Sequence, residues 1–214
     1  MIYTVLLILI AAIAYTAGSM SSVVIASNFV FHKNLRALGY GNSALSNFRR
    51  IYGTKGLLKL LLVELVRDAL PIIIGGLLLG IKGHADVGRA FAGFCLVLGR
   101  LYPLFYDFKG SHALICMIVT MMFVNFSGAL AVLLFVVLGI WLTKYVSLGT
   151  VAGAAVMCVA SLLVVENTLV MKLALFTGLI VLFKHIPAIS RLLSGKEPKL
   201  SLQEDISYKL DNKF

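Results

Sequence analysis

Asn42, Ser43, Ser46, Asn47, Arg49 and Arg50 crowd into residues 39–50, a polar segment lying between two long apolar runs. Asn and Ser offer neutral hydrogen bonds, and Arg offers a planar fork suited to phosphate or carboxylate. Gly39 and Gly41 allow close backbone approach. A chain that only had to turn at a bilayer surface would need a shorter connection, so the segment is suited to holding a small anion there. A basic membrane anchor with ordinary turn residues accounts for the same composition. Three further clusters carry polar chemistry. In 102–112, Lys109-Gly110-Ser111-His112 precedes an apolar run, where backbone N–H groups and a cation can face a phosphate. Lys144-Tyr145-Val146-Ser147 forms the next cluster, and Lys184-His185 followed by Arg191 and Glu197 the last. His185 is the candidate general acid or base, because histidine alone titrates near neutrality unperturbed. A basic residue snorkelling at a helix C-terminus is the competing account of it.

The elements that must position these groups are apolar. Hydrophobic residues make up 60% of the 214 residues, charged residues 13%, and mean hydropathy is +1.00, which excludes an ordinary soluble domain. Apolar runs fall near 2–30, 57–80, 88–106, 112–126, 128–146, 150–165 and 168–184. Crossing a bilayer takes roughly 20 helical residues, so the fourth and sixth runs are short. The composition predicts an all-α integral membrane protein, a seven-transmembrane-helix bundle; six spans result if runs four and five form a re-entrant pair. The first run lacks the basic start of a secretory signal and reads as an uncleaved span. Cys95, Cys116 and Cys158 lie in apolar runs with no metal or disulfide spacing, and read as inert.

Charge gives the orientation. Lys33, Arg36, Arg49, Arg50, Lys55, Lys59, Arg100, Lys109, Lys144 and the basic residues from Lys184 onward fall on one side, against Lys82 and Arg89 on the other. The positive-inside rule then places the N-terminus outside and the C-terminus in the cytosol, with every polar cluster on the cytosolic face. The excess of 19 Lys and Arg over 9 Asp and Glu reads as orientation and attraction to anionic lipid, not as nucleic-acid binding. Within the second run, Glu64, Arg67 and Asp68 have the spacing of one helix face. Structural pairing of Glu64 with Arg67 is the favoured reading. The whole of 1–214 is expected to be a single polytopic membrane domain, with motif loops at about 32–56, 107–112 and 144–150 and a tail at 184–214.

In order, these clusters resemble the PlsY-type membrane acyltransferases, which transfer an acyl chain from acyl-phosphate to glycerol 3-phosphate. GYGNSALSNFRR (39–50) follows the family's GSGNxGATNxxR in register. Glu64-Leu-Val-Arg67-Asp68, with Pro71 beyond it, stands where the family has DxxKG. Gly99-Arg-Leu-Tyr-Pro103-Leu-Phe105 through Ala113 is similar to GHxxPVFxxFKGGKG. Residues 144–150 are similar to RYVSLAS and residues 185–197 to HRxNIxRLLxGxE. The resemblance implies a seven-helix bundle in the cell membrane with a cytosolic phosphate-binding groove, and chemistry that needs neither coenzyme A nor a metal. It implies catalytic roles for His185, Arg50 and His112. It implies substrate binding by Tyr40, Asn42, Ser46, Asn47, Lys109, Gly110, Ser147, Thr150, Arg191 and Glu197, with acyl-phosphate, glycerol 3-phosphate and membrane lipids as partners. The chain departs from the pattern at Tyr40 for Ser, His112 for Lys, Ser111 for Gly and Ala188 for Asn. An altered paralogue that binds a phosphorylated lipid or acyl-phosphate is the alternative reading.

Overall fold

The computed structural model describes residues 1–26, 45–108, 110 and 113–195, with the backbone alone at 45–52, 54 and 193. Among the described residues all regular structure is helical: α1 (Ile2–Ser19), α2 (Ser22–Ile25), α3 (Leu45–Gly80), α4 (Ala85–Leu101), a 3₁₀ turn (Leu104–Tyr106), α5 (Leu114–Val124), α6 (Phe126–Thr143), α7 (Val146–Val164), α8 (Thr168–Lys184) and α9 (Ile186–Leu193). Among the described residues four stretches are long and apolar enough to cross a membrane: Ile2–Ser19, Ala85–Tyr106, Phe126–Thr143 and Val146–Val164. The pair Thr168–Lys184 and Ile186–Leu192, bent by 45°, makes a fifth if counted as one span.

The fourth apolar run is short, as expected: α5 has 11 residues. The sixth is not. It extends N-terminally into a 19-residue helix, so 146–150 forms the first turns of α7 instead of a loop. The polar residues there do not oppose helix because the Thr150 hydroxyl donates to the Val146 carbonyl at 2.9 Å, inside its own helix. Likewise 45–52 is helical, and α9 occupies the start of the C-terminal tail.

The chain divides into two compact units, Met1–Ser19 with Asp68–Leu200 and Met20–Arg67 with Ser201–Phe214. In the first unit the helices run up and down, and close backbone approach brings them together. A Cβ placed on Gly18 of α1 would fall on the Leu96 carbonyl oxygen of α4, and one on Gly99 would fall on that of Tyr15. Elsewhere a glycine makes room for a side chain: Gly93 for Thr120 of α5, and Gly149 and Gly153 of α7 for Ile140 and Val136 of α6. Lipid is as apolar as any side chain, so helices in it associate through such close van der Waals packing. Ile10, Leu96, Leu101, Met117, Met121 and Met157 fill the interior, while Trp141, Leu163 and Phe183 point outward, as an apolar solvent permits.

At one end of this unit two asparagines cap helices and tie neighbours together. The Asn125 side chain accepts from the Gly128 N–H at 2.9 Å, starting α6, and donates to the Val164 carbonyl at the end of α7 at 3.0 Å. Asn167 starts α8 by accepting from the Leu169 N–H at 3.0 Å, and donates to Asp86 Oδ2 in the first turn of α4 at 2.6 Å. With that end fastened, the exits of α1, α4, α6 and α8 and the starts of α5 and α7 gather at the other.

Replacing Gly99 by Ala should force α1 from α4, costing about 1–3 kcal/mol as overpacking does. A clear drop in the thermal unfolding midpoint of the purified variant in detergent checks this, with Gly80→Ala, whose added methyl meets only ordinary van der Waals contact, as the comparison that keeps its midpoint.

Candidate functional site

The exit of α4 is the anchor of this end. The Tyr15 hydroxyl donates to the Tyr102 carbonyl at 2.6 Å. Ser19 Oγ donates to the Tyr15 carbonyl at 2.8 Å and accepts the Leu104 N–H at 3.4 Å, so two polar side chains of α1 hold the start of the 3₁₀ turn. Pro103 sets up that turn, and its carbonyl accepts from the Tyr106 and Phe108 N–H groups at 3.3 and 3.1 Å. Asp107 and Phe108 then adopt φ of 50° and 57° in succession. Non-glycine residues in this left-handed region cost about 1–2 kcal/mol each. Such strain persists only where the surroundings over-determine it. The chain next passes Gly110, where a Cβ would land on the carbonyl oxygens of Arg100 and Leu101. Only glycine fits against the open C-terminus of α4.

The α6–α7 connection is equally tight. Lys144 closes α6 with φ 62° and an N–H bond to the Ile140 carbonyl at 2.7 Å. The Thr143 hydroxyl donates to the Gly139 carbonyl at 2.5 Å and accepts the Tyr145 N–H at 3.3 Å. One turn later Ser147 and Thr150 are buried, at i and i+3 on one face of α7.

His185 stands at the bend between α8 and α9, 4% exposed. Its Nδ1 lies 2.8 Å from the Val181 carbonyl. A carbonyl only accepts, so the ring nitrogen facing it, Nδ1, carries a proton. α9 packs against α7 and α8, carrying Arg191 on its exposed side.

In the second unit the Arg67 guanidinium donates through Nη1 to the Met20 carbonyl at 2.6 Å. Its Nη2 lies 3.9 Å from Glu64 Oε1, an ion pair at i, i+3 with both partners buried. The expected pairing is therefore present. α3 turns sharply at Gly53, where φ is 67° and ψ −171°, a conformation only glycine adopts cheaply. Ser46, Asn47 and Arg50 lie on the helical segment before that turn.

The first unit thus gathers Gly110, Ser147, Thr150, His185 and Arg191 at one end. Ser46, Asn47 and Arg50 belong to the other unit, while Tyr40, Asn42, Lys109, His112 and Glu197 lie outside the described residues. Sequence reasoning passed over Tyr15, Ser19 and Gly53. Tyr15 and Ser19, polar at helical spacing near the end of an apolar run, were the available signal.

Gly110→Ala should lower the unfolding midpoint by an amount equivalent to about 1–3 kcal/mol. Limited proteolysis should show cleavage near 103–113 that the unsubstituted chain resists.

The family described as glycerol-3-phosphate acyltransferase matches residues 8–195. A glycerol-3-phosphate acyltransferase of Finegoldia magna is 30% identical over 195 residues, covering 91% of this chain and 96% of its own. One from a Thermoanaerobacter species is 28% identical, covering 93% and 98%. Among solved structures, the glycerol 3-phosphate form of PlsY (YgiH), an integral membrane glycerol 3-phosphate acyltransferase, superposes with a TM-score of 0.72 at 23% identity. That match covers 91% of this chain and 96% of the other, and the lysophosphatidic acid form gives 0.71.

Proposed function

The chain belongs to the glycerol-3-phosphate acyltransferase family, and on that premise we propose that it moves a fatty acyl group from acyl-phosphate to the 1-hydroxyl of glycerol 3-phosphate. The product is lysophosphatidic acid, an early intermediate of phospholipid synthesis. The donor is a mixed anhydride, already activated. The hydroxyl oxygen attacks the acyl carbon, the carbon–oxygen bond of the anhydride breaks, and inorganic phosphate leaves with the electron pair. Protein chemistry is then mainly positioning and charge stabilisation, with one proton to move.

In this reading Arg50, Lys109 and His112 hold phosphate, and Tyr40, Asn42, Ser46, Asn47, Ser147 and Thr150 orient oxygens. Gly110 lets the backbone approach, Arg191 and Glu197 fix the end of the groove, and His185 takes the hydroxyl proton at Nε2. The observation that carries the role of His185 is its buried ring, fixed through Nδ1 on Val181. The chain crosses the cell membrane seven times, N-terminus outside and C-terminus cytosolic. The one-sided distribution of Lys and Arg supports that orientation.

One observation favours the second reading, a paralogue that binds a phosphorylated lipid or acyl-phosphate with altered turnover. Ala188, at the family's Asn position, is buried at 4% exposure in α9, so that spot carries no amide.

Purified protein given acyl-phosphate and glycerol 3-phosphate should release lysophosphatidic acid and phosphate. His185→Ala should slow this by about 10²–10⁴-fold, the usual worth of a positioned acid–base group. No product above the His185→Ala control would sink the acyltransferase reading. Ligand binding in that case, with activity gained by Tyr40→Ser, His112→Lys and Ala188→Asn together, would establish the paralogue.

A further inference from the structure

The residue preceding His185 is engaged across the bundle. Lys184 Nζ sits 4.1 Å from the centroid of the Tyr102 ring, a cation–π contact between the last residue of α8 and the residue that closes α4. A lysine in the last turn of a helix is favoured by the helix dipole with its ammonium in water. Here the half-buried side chain also lays its ammonium over an aromatic face. Tyr102 is a firm platform, because its N–H donates to the Leu98 carbonyl at 2.8 Å and its own carbonyl accepts from Tyr15 at 2.6 Å. The same α4 exit seats Gly110 against Arg100 and Leu101. On the other side of the contact, Lys184 is joined covalently to the 45° bend at which the His185 ring is buried.

We infer that Lys184 and Tyr102 are positioning residues: their contact sets the α8–α9 bend, and with it the His185 ring, against the segment that carries Gly110. The inference rests on the acyltransferase reading only for the step that His185 performs. The geometric part stands separately: without the contact, the bend loosens and the His185 ring becomes accessible. A cation at 184 and an aromatic face at 102 are the chemical requirements. Arg satisfies the first, since guanidinium also stacks on aromatic rings, and Phe satisfies the second.

The test uses four single variants of the full chain, Lys184→Met, Lys184→Arg, Tyr102→Leu and Tyr102→Phe, with the double variant Lys184→Met/Tyr102→Leu. Lys184→Met and Tyr102→Leu should each lower kcat by roughly ten- to a hundredfold, as misplacing a reacting group does, with KM for both substrates little changed. Lys184→Arg and Tyr102→Phe should keep kcat within about threefold, and the double variant should be no worse than the weaker single, because the pair acts as one unit. The second readout is the rate at which diethyl pyrocarbonate modifies His185, followed by mass spectrometry. It should rise at least about fivefold in both disruptive variants, since a ring loosened from its buried site meets reagent more often. This readout holds whether or not the chain turns over acyl-phosphate, so an inactive unsubstituted protein defeats the acyltransferase reading alone. Unchanged modification rates in Lys184→Met and Tyr102→Leu would overturn the positioning role. So would a KM increase in Lys184→Met with Tyr102→Leu unaffected, which would mark Lys184 as a substrate contact.

Discussion

The crossing of α1 and α4, backbone against backbone at Gly18 and Gly99, is the constraint on which this end of the molecule depends. Lipid offers helices no hydrophobic reward for associating, so contact has to come from shape. Two glycines let the helix axes approach until the carbonyls of one touch the α-carbons of the other. That separation is what lets Tyr15 and Ser19 reach the α4 exit at hydrogen-bond distance. The exit in turn fixes where Gly110 lies and what Lys184 packs on. A methyl group at either glycine would disturb the polar end of the unit as well as the helix pair that contains it.

Polar groups inside the helices are handled locally. Thr120, Thr150 and Thr177 each donate to a carbonyl one turn back, at 2.8, 2.9 and 2.7 Å, and Ser161 donates to Cys158 at 2.8 Å. These bonds hide the hydroxyls from hydrocarbon without calling on a neighbouring helix. Asn125 and Asn167 do reach across, and they do so at helix starts, where unpaired N–H groups already need an acceptor. His185 follows the same local rule, with its Nδ1 on the carbonyl of Val181 one turn back at 2.8 Å.

Much of this was legible in the residues. Composition and run length gave the helical class, and the spacing of Glu64 and Arg67 gave their ion pair, because i, i+3 geometry is local. Legibility stopped where a property depended on partners far along the chain. The sixth run looked too short because Ser147 and Thr150 read as loop residues, whereas their hydroxyls are absorbed within α7 or against its surroundings. Tyr15 and Ser19 looked like minor polar interruptions of an apolar stretch. Their role exists only because α4 passes beside them, which no local pattern of α1 encodes. The contact of Lys184 with Tyr102 spans two distant segments and has no signature in either.

The shortness of α5 has a geometric outcome. Asn125 joins the end of α5 directly to the start of α6 and bonds to the end of α7, so these three termini are level. From that common plane the 18 residues of α6 rise about 27 Å and the 11 of α5 about 16 Å. The start of α5 at Leu114 therefore stops about 10 Å below the far end of α6, at the ~1.5 Å rise per helical residue. α5 packs into the interior of the unit, with Cys116, Met117, Val119, Thr120 and Met121 buried. The two helices of this pair therefore begin level and end at different heights, the shorter one inside the unit.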